Sequence, residues 1–243
     1  MSLKIIKIRK AHERFRTNRE WLNSMHSFSF AEHRDPKWDN FGNIRVINED
    51  IISPNAGFNT HSHSNMEIIT VVIKGAITHR DSLNNLGKIN KDEVQIMSAG
   101  TGISHSEKNE ENETCKLIQI WIYPQQENIK PRYDQISLNE KLWDNLIFDY
   151  KNGQKNKLFL NQNISLWRCK YKSIKAKKLP LKIDKYNWIQ IIEGDLLLKS
   201  KDSNSDTCLS SGDGLGFEVN YYDNVSIDTE KELDFLLFSM PSL

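Results

Sequence analysis

Most of the chain consists of short apolar segments separated by polar turns, with little sign of helix. The segment Met66–Ile73 is rich in β-branched residues and ends at Lys74-Gly75, which is a turn signal. Further segments of this kind, each bounded by Gly, Asn or Asp, follow at Ala76–Arg80, Glu93–Met97 and Leu117–Tyr123. Short strands at regular intervals predict an all-β fold of the sandwich or barrel type.

The second half of the chain weakly repeats the first. The sequence VVIKGAIT surrounds Gly75 and IQIIEGDLLL surrounds Gly194, and an acidic turn follows each, ending at Asp92 and at Asp213. The spacing from glycine to aspartate is 17 residues in one copy and 19 in the other. This repetition predicts a duplicated barrel. We place the first domain at residues 1–135 and a linker with the second domain at residues 136–243.

Composition narrows the possible functions. The 243 residues include 33 Lys and Arg against 32 Asp and Glu, so the net charge of +1 argues against nucleic acid or a membrane surface as the partner. The longest apolar stretch, Ile68–Ile73, is far too short to span a bilayer, and no targeting segment is visible. We expect a cytoplasmic protein whose cysteines are buried and reduced: Cys115, Cys169 and Cys208.

The candidate chemistry lies in two short motifs of the first domain. All seven histidines fall within the first 105 residues, so the second domain cannot repeat a histidine-based site. Residues two apart on a strand share a face, so His61 projects with His63, and His105 projects with Glu107. Glycines in the turn before His105 allow a tight entry into that strand. Three imidazoles and one carboxylate suit iron, manganese, nickel, copper or zinc.

Other polar residues near these motifs have open roles. Glu67 is expected either to orient a ligand imidazole or to form hydrogen bonds at the barrel mouth. His79 is expected to be structural and hydrogen-bonded. His26 is expected to pack in the core, with a position on the pocket wall as the alternative. His12 and His33 are surrounded by charged residues and are predicted to lie on the surface.

The sequence resembles the pirin family, and the agreement extends from about Lys7 to Gln135. The motifs that carry the resemblance are GFNTHSHSNMEIITVVIKGAITHRDSLNN, DEVQIMSAGTGISHSE and LIQIWIYP. The chain has Ser62 where the family commonly has proline, and Asn90-Lys-Asp92 where the family has Pro-Gly-Asp. These departures leave all four ligand types intact.

The resemblance implies a bicupin, which is a pair of cupin-type β-barrels with a metal site in the N-terminal barrel alone. The metal ligands of the family fall on His61, His63, His105 and Glu107. It also implies one divalent metal, with Fe(II) first and Mn, Ni, Cu or Zn as alternatives.

The function predicted from the resemblance is that of a quercetin 2,3-dioxygenase, acting on a flavonol or a similar enolic phenol with O2. Glu107 is the expected catalytic base. The alternative is a regulatory protein that binds a protein partner in a metal- or redox-dependent way. A phosphosugar isomerase would need a cationic pocket that the sequence does not indicate.

Overall fold

The computed structural model describes residues 3–138, 144–149, 158, 160–181, 185–201, 206–220 and 225–241. Within them lie nineteen strands and two short 3-10 helices, and none of the described helices is long and apolar enough to cross a membrane. The helices are Ala11–Glu13 and Pro36–Trp38. The described residues fall into two compact units, each built from separate stretches of the chain.

The first unit, here called the histidine unit, contains residues 15–138, 158 and 160–162. Its strands are β2 (Phe15–Arg19), β3 (Leu22–His26), β4 (Ile44–Ile52), β5 (Ala56–His63), β6 (Glu67–Lys74), β7 (Ala76–Asp81), β8 (Leu86–Asn90), β9 (Glu93–Ser98), β10 (Ile103–Asn109), β11 (Cys115–Ile122) and β12 (Arg132–Ser137). They form a seven-stranded sheet of order β12-β9-β6-β11-β4-β3-β2 and a four-stranded sheet of order β5-β10-β7-β8.

The second unit, here called the C-terminal unit, contains residues 3–14, 144–149 and the described residues from 163 to 241. Its strands are β1 (Leu3–Arg9), β13 (Asp144–Asp149), β14 (Ser165–Lys177), β15 (Lys185–Glu193), β16 (Asp195–Ser200), β17 (Thr207–Ser210), β18 (Gly214–Val219) and β19 (Val225–Pro241). They form one eight-stranded sheet in which the order β1-β18-β15-β19-β14-β13 is extended by β16 and β17.

The N-terminal strand β1 pairs with β18, so it belongs to the unit formed mainly by the C-terminal half. Nothing in the local pattern of β1 indicates this long-range pairing. The boundary after residue 135 stays a prediction, and residues 151–157, which belong to the predicted linker and second domain, lie outside the described residues.

The glycine turns of the two halves have the same conformation. Gly75 (φ +70°) joins β6 to β7, and Gly194 (φ +89°) joins β15 to β16. A side chain at either position would collide with a facing carbonyl, since a Cβ would lie 2.9 Å from Thr114 O or 2.1 Å from Glu232 O. The strands around them also repeat, with the order β9-β6-β11-β4 in one unit and β18-β15-β19-β14 in the other. The predicted all-β fold of two duplicated units is confirmed.

Candidate metal centre

The histidine unit contains an open cavity of about 550 Å³. Aromatic side chains line part of its wall: Trp21, Phe30, Phe58 and Trp121. Polar side chains from the seven-stranded sheet line another part: Ser24, His26, Asn48, Asp50 and Gln119. His61, His63 and Glu107 also line the cavity, so three of the four predicted ligands lie where a small aromatic molecule could reach them.

Strands β5 and β10 bring the three predicted histidine ligands together. His61 lies directly opposite His105 in the antiparallel register, and His63 lies opposite Ile103. The ring centroids of the three histidines are 4.5 to 5.0 Å apart. One nitrogen from each ring fits within a group whose members all lie within 4.8 Å of one another, a spacing short enough for one metal ion.

Glu107 lies beyond a register shift in β10, which follows His105. Its carboxylate is held by side chains of the seven-stranded sheet. Oε2 accepts a hydrogen bond from Gln119 Nε2 at 2.7 Å, and Oε1 accepts one from Thr70 Oγ1 at 3.2 Å. Trp121 Nε1 donates to Gln119 Oε1 at 3.1 Å and so orients the amide. Sequence reasoning missed Thr70 and Gln119, because a polar residue in an apolar strand gives no sign of its partner.

Glu107 also belongs to a second group of possible metal-binding atoms, with His79 and His105. This group and the three-histidine group have His105 in common. The structure therefore groups His61, His63 and His105 with one another, and Glu107 with His105 and His79, but no group among the described residues holds all four predicted ligands.

The donor atoms fit a first-row divalent ion. His105 Nε2 is buried and has no hydrogen-bond partner among the described residues, which is the environment expected of an atom that binds a ligand. His61 Nδ1 lies 2.7 Å from the carbonyl oxygen of Asn59, so it carries the proton and leaves Nε2 with a lone pair. Imidazole nitrogens combined with a carboxylate suit Fe, Ni, Cu or Zn.

Burial keeps two of these imidazoles neutral. Burial, reinforced by the charges of neighbouring histidines, lowers the pKa of His63 to about 4 and that of His105 to about 3. Neutral imidazole is the form that binds a metal ion, so both rings are ready for coordination at neutral pH.

A buried carboxylic acid forms part of the cavity wall. Burial raises the pKa of Asp50 to about 7, although a hydrogen bond from Ser24 Oγ opposes the shift and the charge of Glu107 adds to it. Nothing in the sequence around Asp50 indicates this environment, because its pattern on β4 is that of an ordinary strand residue.

Glu67 lies outside the group of predicted ligands. Strand β5 ends at His63 and Glu67 begins β6, so the alternation of faces does not continue through the turn between them. Its carboxylate accepts hydrogen bonds from Ser98 Oγ at 2.6 Å and from Asn161 N at 3.0 Å. Of its two expected roles, these contacts match that of a hydrogen-bonded structural residue.

The other histidines differ in burial. His79 is buried, hydrogen-bonded to Asp81 and stacked on Tyr133 at 4.6 Å. His26 is buried as expected, and it also lines the cavity. His12 is exposed as predicted, whereas His33 is partly buried and stacks on the ring of Phe15, at 5.4 Å. A stacking partner so distant along the chain has no local sequence signal.

The cysteines follow the expectation in part. Cys115 and Cys169 are buried free thiols, and burial raises the pKa of Cys115 to about 12. Cys208 is exposed, so its predicted burial is wrong. It lies on β17, whose side chains alternate between buried and exposed.

Two cupin-type units, one with a histidine-lined cavity, define this molecule as a bicupin. The family model described as Pirin matches residues 8–122, and the model described as Quercetinase C-terminal cupin domain matches residues 150–240. A protein of Escherichia coli (strain K12) named quercetin 2,3-dioxygenase is 36% identical, with 98% of this chain and 99% of that protein covered. The chain belongs to the pirin family.

Solved structures agree with this assignment. The crystal structure of bacterial pirin YhhW from Escherichia coli in complex with nickel(II) is 35% identical in sequence and has a TM-score of 0.87, covering 98% of this chain and 99% of the other. A pirin-like protein of Caulobacter vibrioides is 55% identical over 104 residues, which are 43% of this chain and 45% of that protein.

Proposed function

We propose that this protein is a metal-dependent dioxygenase of the quercetinase type, which cleaves a flavonol or a similar enolic phenol with O2. The observation that carries the proposal is the grouping of three histidine rings beside a cavity that His61 and His63 line, with the buried Nε2 of His105 lacking a hydrogen-bond partner among the described residues. The name of the Escherichia coli relative supports the reaction class.

The residues that would hold the metal are His61, His63, His105 and Glu107. Once bound, a divalent metal supplies Lewis-acid stabilisation of a deprotonated substrate oxygen. Fe(II) is our first choice, with Mn, Ni, Cu and Zn as alternatives, because such a donor set accepts all of them. The nickel(II) complex of YhhW supports a metal in this fold.

The cavity walls fit a planar phenol. Trp21 and Phe58 contact each other edge to face at 5.1 Å, and Trp121 packs edge-on against His63 at 4.9 Å. These rings offer apolar surfaces on which an aromatic substrate can lie beside the metal ligands.

Glu107 is the proposed general base. Its carboxylate accepts the proton of the substrate hydroxyl, a contribution that is typically worth about 10²–10⁴-fold in rate. The donors of Gln119 and Thr70 keep the carboxylate at the cavity wall while it does so. With quercetin as substrate, both atoms of O2 enter the product and carbon monoxide leaves.

Oxygen uptake with quercetin tests the proposal, using protein reconstituted separately with iron, manganese, nickel and copper. We expect uptake with at least one metal, no uptake with His63→Ala, and a loss of about 10²–10⁴-fold with Glu107→Gln. Metal content measured by elemental analysis serves as the control. Full metal loading without uptake, or a Glu107→Gln variant as active as the parent, would refute the proposal and favour the regulatory alternative.

A further inference from the structure

The carboxylate of Asp81 accepts several hydrogen bonds at the end of β7. Oδ1 accepts from the backbone amides of Leu83 at 2.9 Å and Asn85 at 3.0 Å. Oδ2 accepts from the side-chain amide of Asn85 at 3.0 Å and lies 2.9 Å from His79 Nε2. The side chains of Asp81 and His79 are both fully buried. These donors lower the pKa of Asp81, although burial alone would raise it.

An ionised carboxylate can only accept hydrogen bonds, so the proton between Asp81 and His79 belongs to His79 Nε2. In the tautomer that carries its one proton on Nε2, His79 has a lone pair on Nδ1. That atom lies 3.4 Å from His105 Nδ1, which must therefore be the donor. With its proton on Nδ1, His105 has a lone pair on Nε2, the buried atom that has no hydrogen-bond partner among the described residues.

We propose that Asp81 and His79 form a relay that fixes His105 in the tautomer whose Nε2 can bind the metal. The inference rests on the metal site of the proposed function and adds two positioning residues to it. Carboxylate and imidazole partners that orient a ligand histidine typically change metal affinity by about 10–100-fold. Here the effect passes through two imidazoles in series, from β7 to β10.

The relay predicts the effect of the isosteric substitution Asp81→Asn. The amide oxygen must stay beside the backbone N–H groups of Leu83 and Asn85, so the NH2 group would face His79 Nε2. His79 Nε2 would then accept, and its Nδ1 would donate to His105 Nδ1. His105 would carry its proton on Nε2, which removes the lone pair that the metal needs.

The first test measures the tautomers directly in the metal-free parent protein. Side-chain nitrogen NMR of ¹⁵N-histidine protein should show a neutral His79 protonated on Nε2 and a neutral His105 protonated on Nδ1. A doubly protonated His79, or a His105 protonated on Nε2, would overturn the relay. This readout needs neither metal nor activity, so it remains valid if a variant fails to fold.

The second test measures nickel(II) binding by calorimetry. Asp81→Asn should bind about 10–100-fold more weakly than the parent. His79→Phe keeps a ring against Tyr133 but removes the acceptor for His105, so it should weaken binding as well. The matched control is Asp213→Asn in the C-terminal unit, where a buried aspartate also accepts backbone amides, from Ala11 at 2.7 Å and from Ser210 at 3.1 Å. Its nickel affinity should equal that of the parent.

The outcomes separate the two proposals. A parent protein that binds no nickel, iron, manganese or copper would refute the metal site, and NMR of the parent would still decide the relay. A parent that binds nickel, together with an Asp81→Asn variant that folds and binds equally well, would overturn the relay and leave the metal site intact.

Discussion

The two units share a strand order but differ in what their sheets present to the interior. In the histidine unit, one cross-strand row over β9, β6, β11 and β4 is entirely polar: Gln95, Thr70, Gln119 and Asn48. In the C-terminal unit, the equivalent row over β18, β15, β19 and β14 is entirely apolar: Leu215, Ile189, Leu237 and Trp167. Thr70 and Ile189 both lie five residues before the glycine turn of their unit.

The polar row lies beside the candidate metal site, whereas the apolar row forms part of a hydrophobic core. The apolar row belongs to one large hydrophobic cluster in the C-terminal unit, whereas separate, smaller clusters lie in the histidine unit. The polar row supplies the hydrogen-bond donors of Glu107. The polar row also lowers the stability of the fold, because the amide of Gln95 is buried with no hydrogen-bond partner among the described residues. The same strand order thus carries an apolar core row in one unit and a buried polar row in the other.

The largest expected effect comes from breaking the apolar row. Leu237→Ala should lower the free energy of unfolding by about 2–5 kcal/mol, because it leaves a cavity in the core of the C-terminal unit. Urea unfolding of the metal-free protein measures this loss. Nickel affinity should not change, since Leu237 lies outside the histidine unit. A loss below about 1 kcal/mol would show that this row is not a main source of stability.

The next largest expected effect is on the pH dependence of stability, and it concerns Asp50. The equivalent residue in the C-terminal unit is the buried Cys169. Burial raises the pKa of Asp50 from 3.8 to about 7. Between these two pH values, the folded protein therefore keeps a proton on Asp50 that the unfolded chain has lost. Stability contributed by the protonated acid is therefore lost as the pH rises from about 4 to about 7.

Asp50→Asn should remove this dependence while keeping an oxygen that can accept from Ser24. We expect equal stability of variant and parent at the acid end of this pH range. Above about pH 7, the metal-free variant should be more stable than the metal-free parent by on the order of 1–4 kcal/mol, because a tenfold change in proton affinity equals about 1.4 kcal/mol. Urea unfolding at several pH values measures the difference. Parallel curves for the two proteins would contradict the prediction.

The smallest effect comes from making the polar row apolar. The double substitution Thr70→Val and Gln119→Leu removes both donors of Glu107 and should weaken nickel binding by about 10–100-fold, roughly 1.4–2.7 kcal/mol. Gln95→Leu is the matched control, since it changes the same row without touching Glu107. Its nickel affinity should stay at the parent level and its stability should not fall. Calorimetry measures both affinities, and equal nickel affinities of the double variant and Gln95→Leu would contradict the prediction.

The sequence predicted the features that depend on local pattern. Alternation placed His61 and His63 on one face, and the glycine turn at Gly75 marked the repeat. The contacts of Asp50 with Ser24, of Gln119 with Glu107 and of His79 with His105 were not predictable, because each depends on the register between different strands.

The pairing of β1 with β18 has a consequence for synthesis on the ribosome. Leu3 is paired with Val219, so β1 leaves the exit tunnel long before its partner strand β18 has been synthesised. Until then its backbone N–H and C=O groups on that edge are open to other strands. Closing such a long loop makes this pairing a slow, late step of folding. The C-terminal unit therefore cannot be completed in the order in which it is translated.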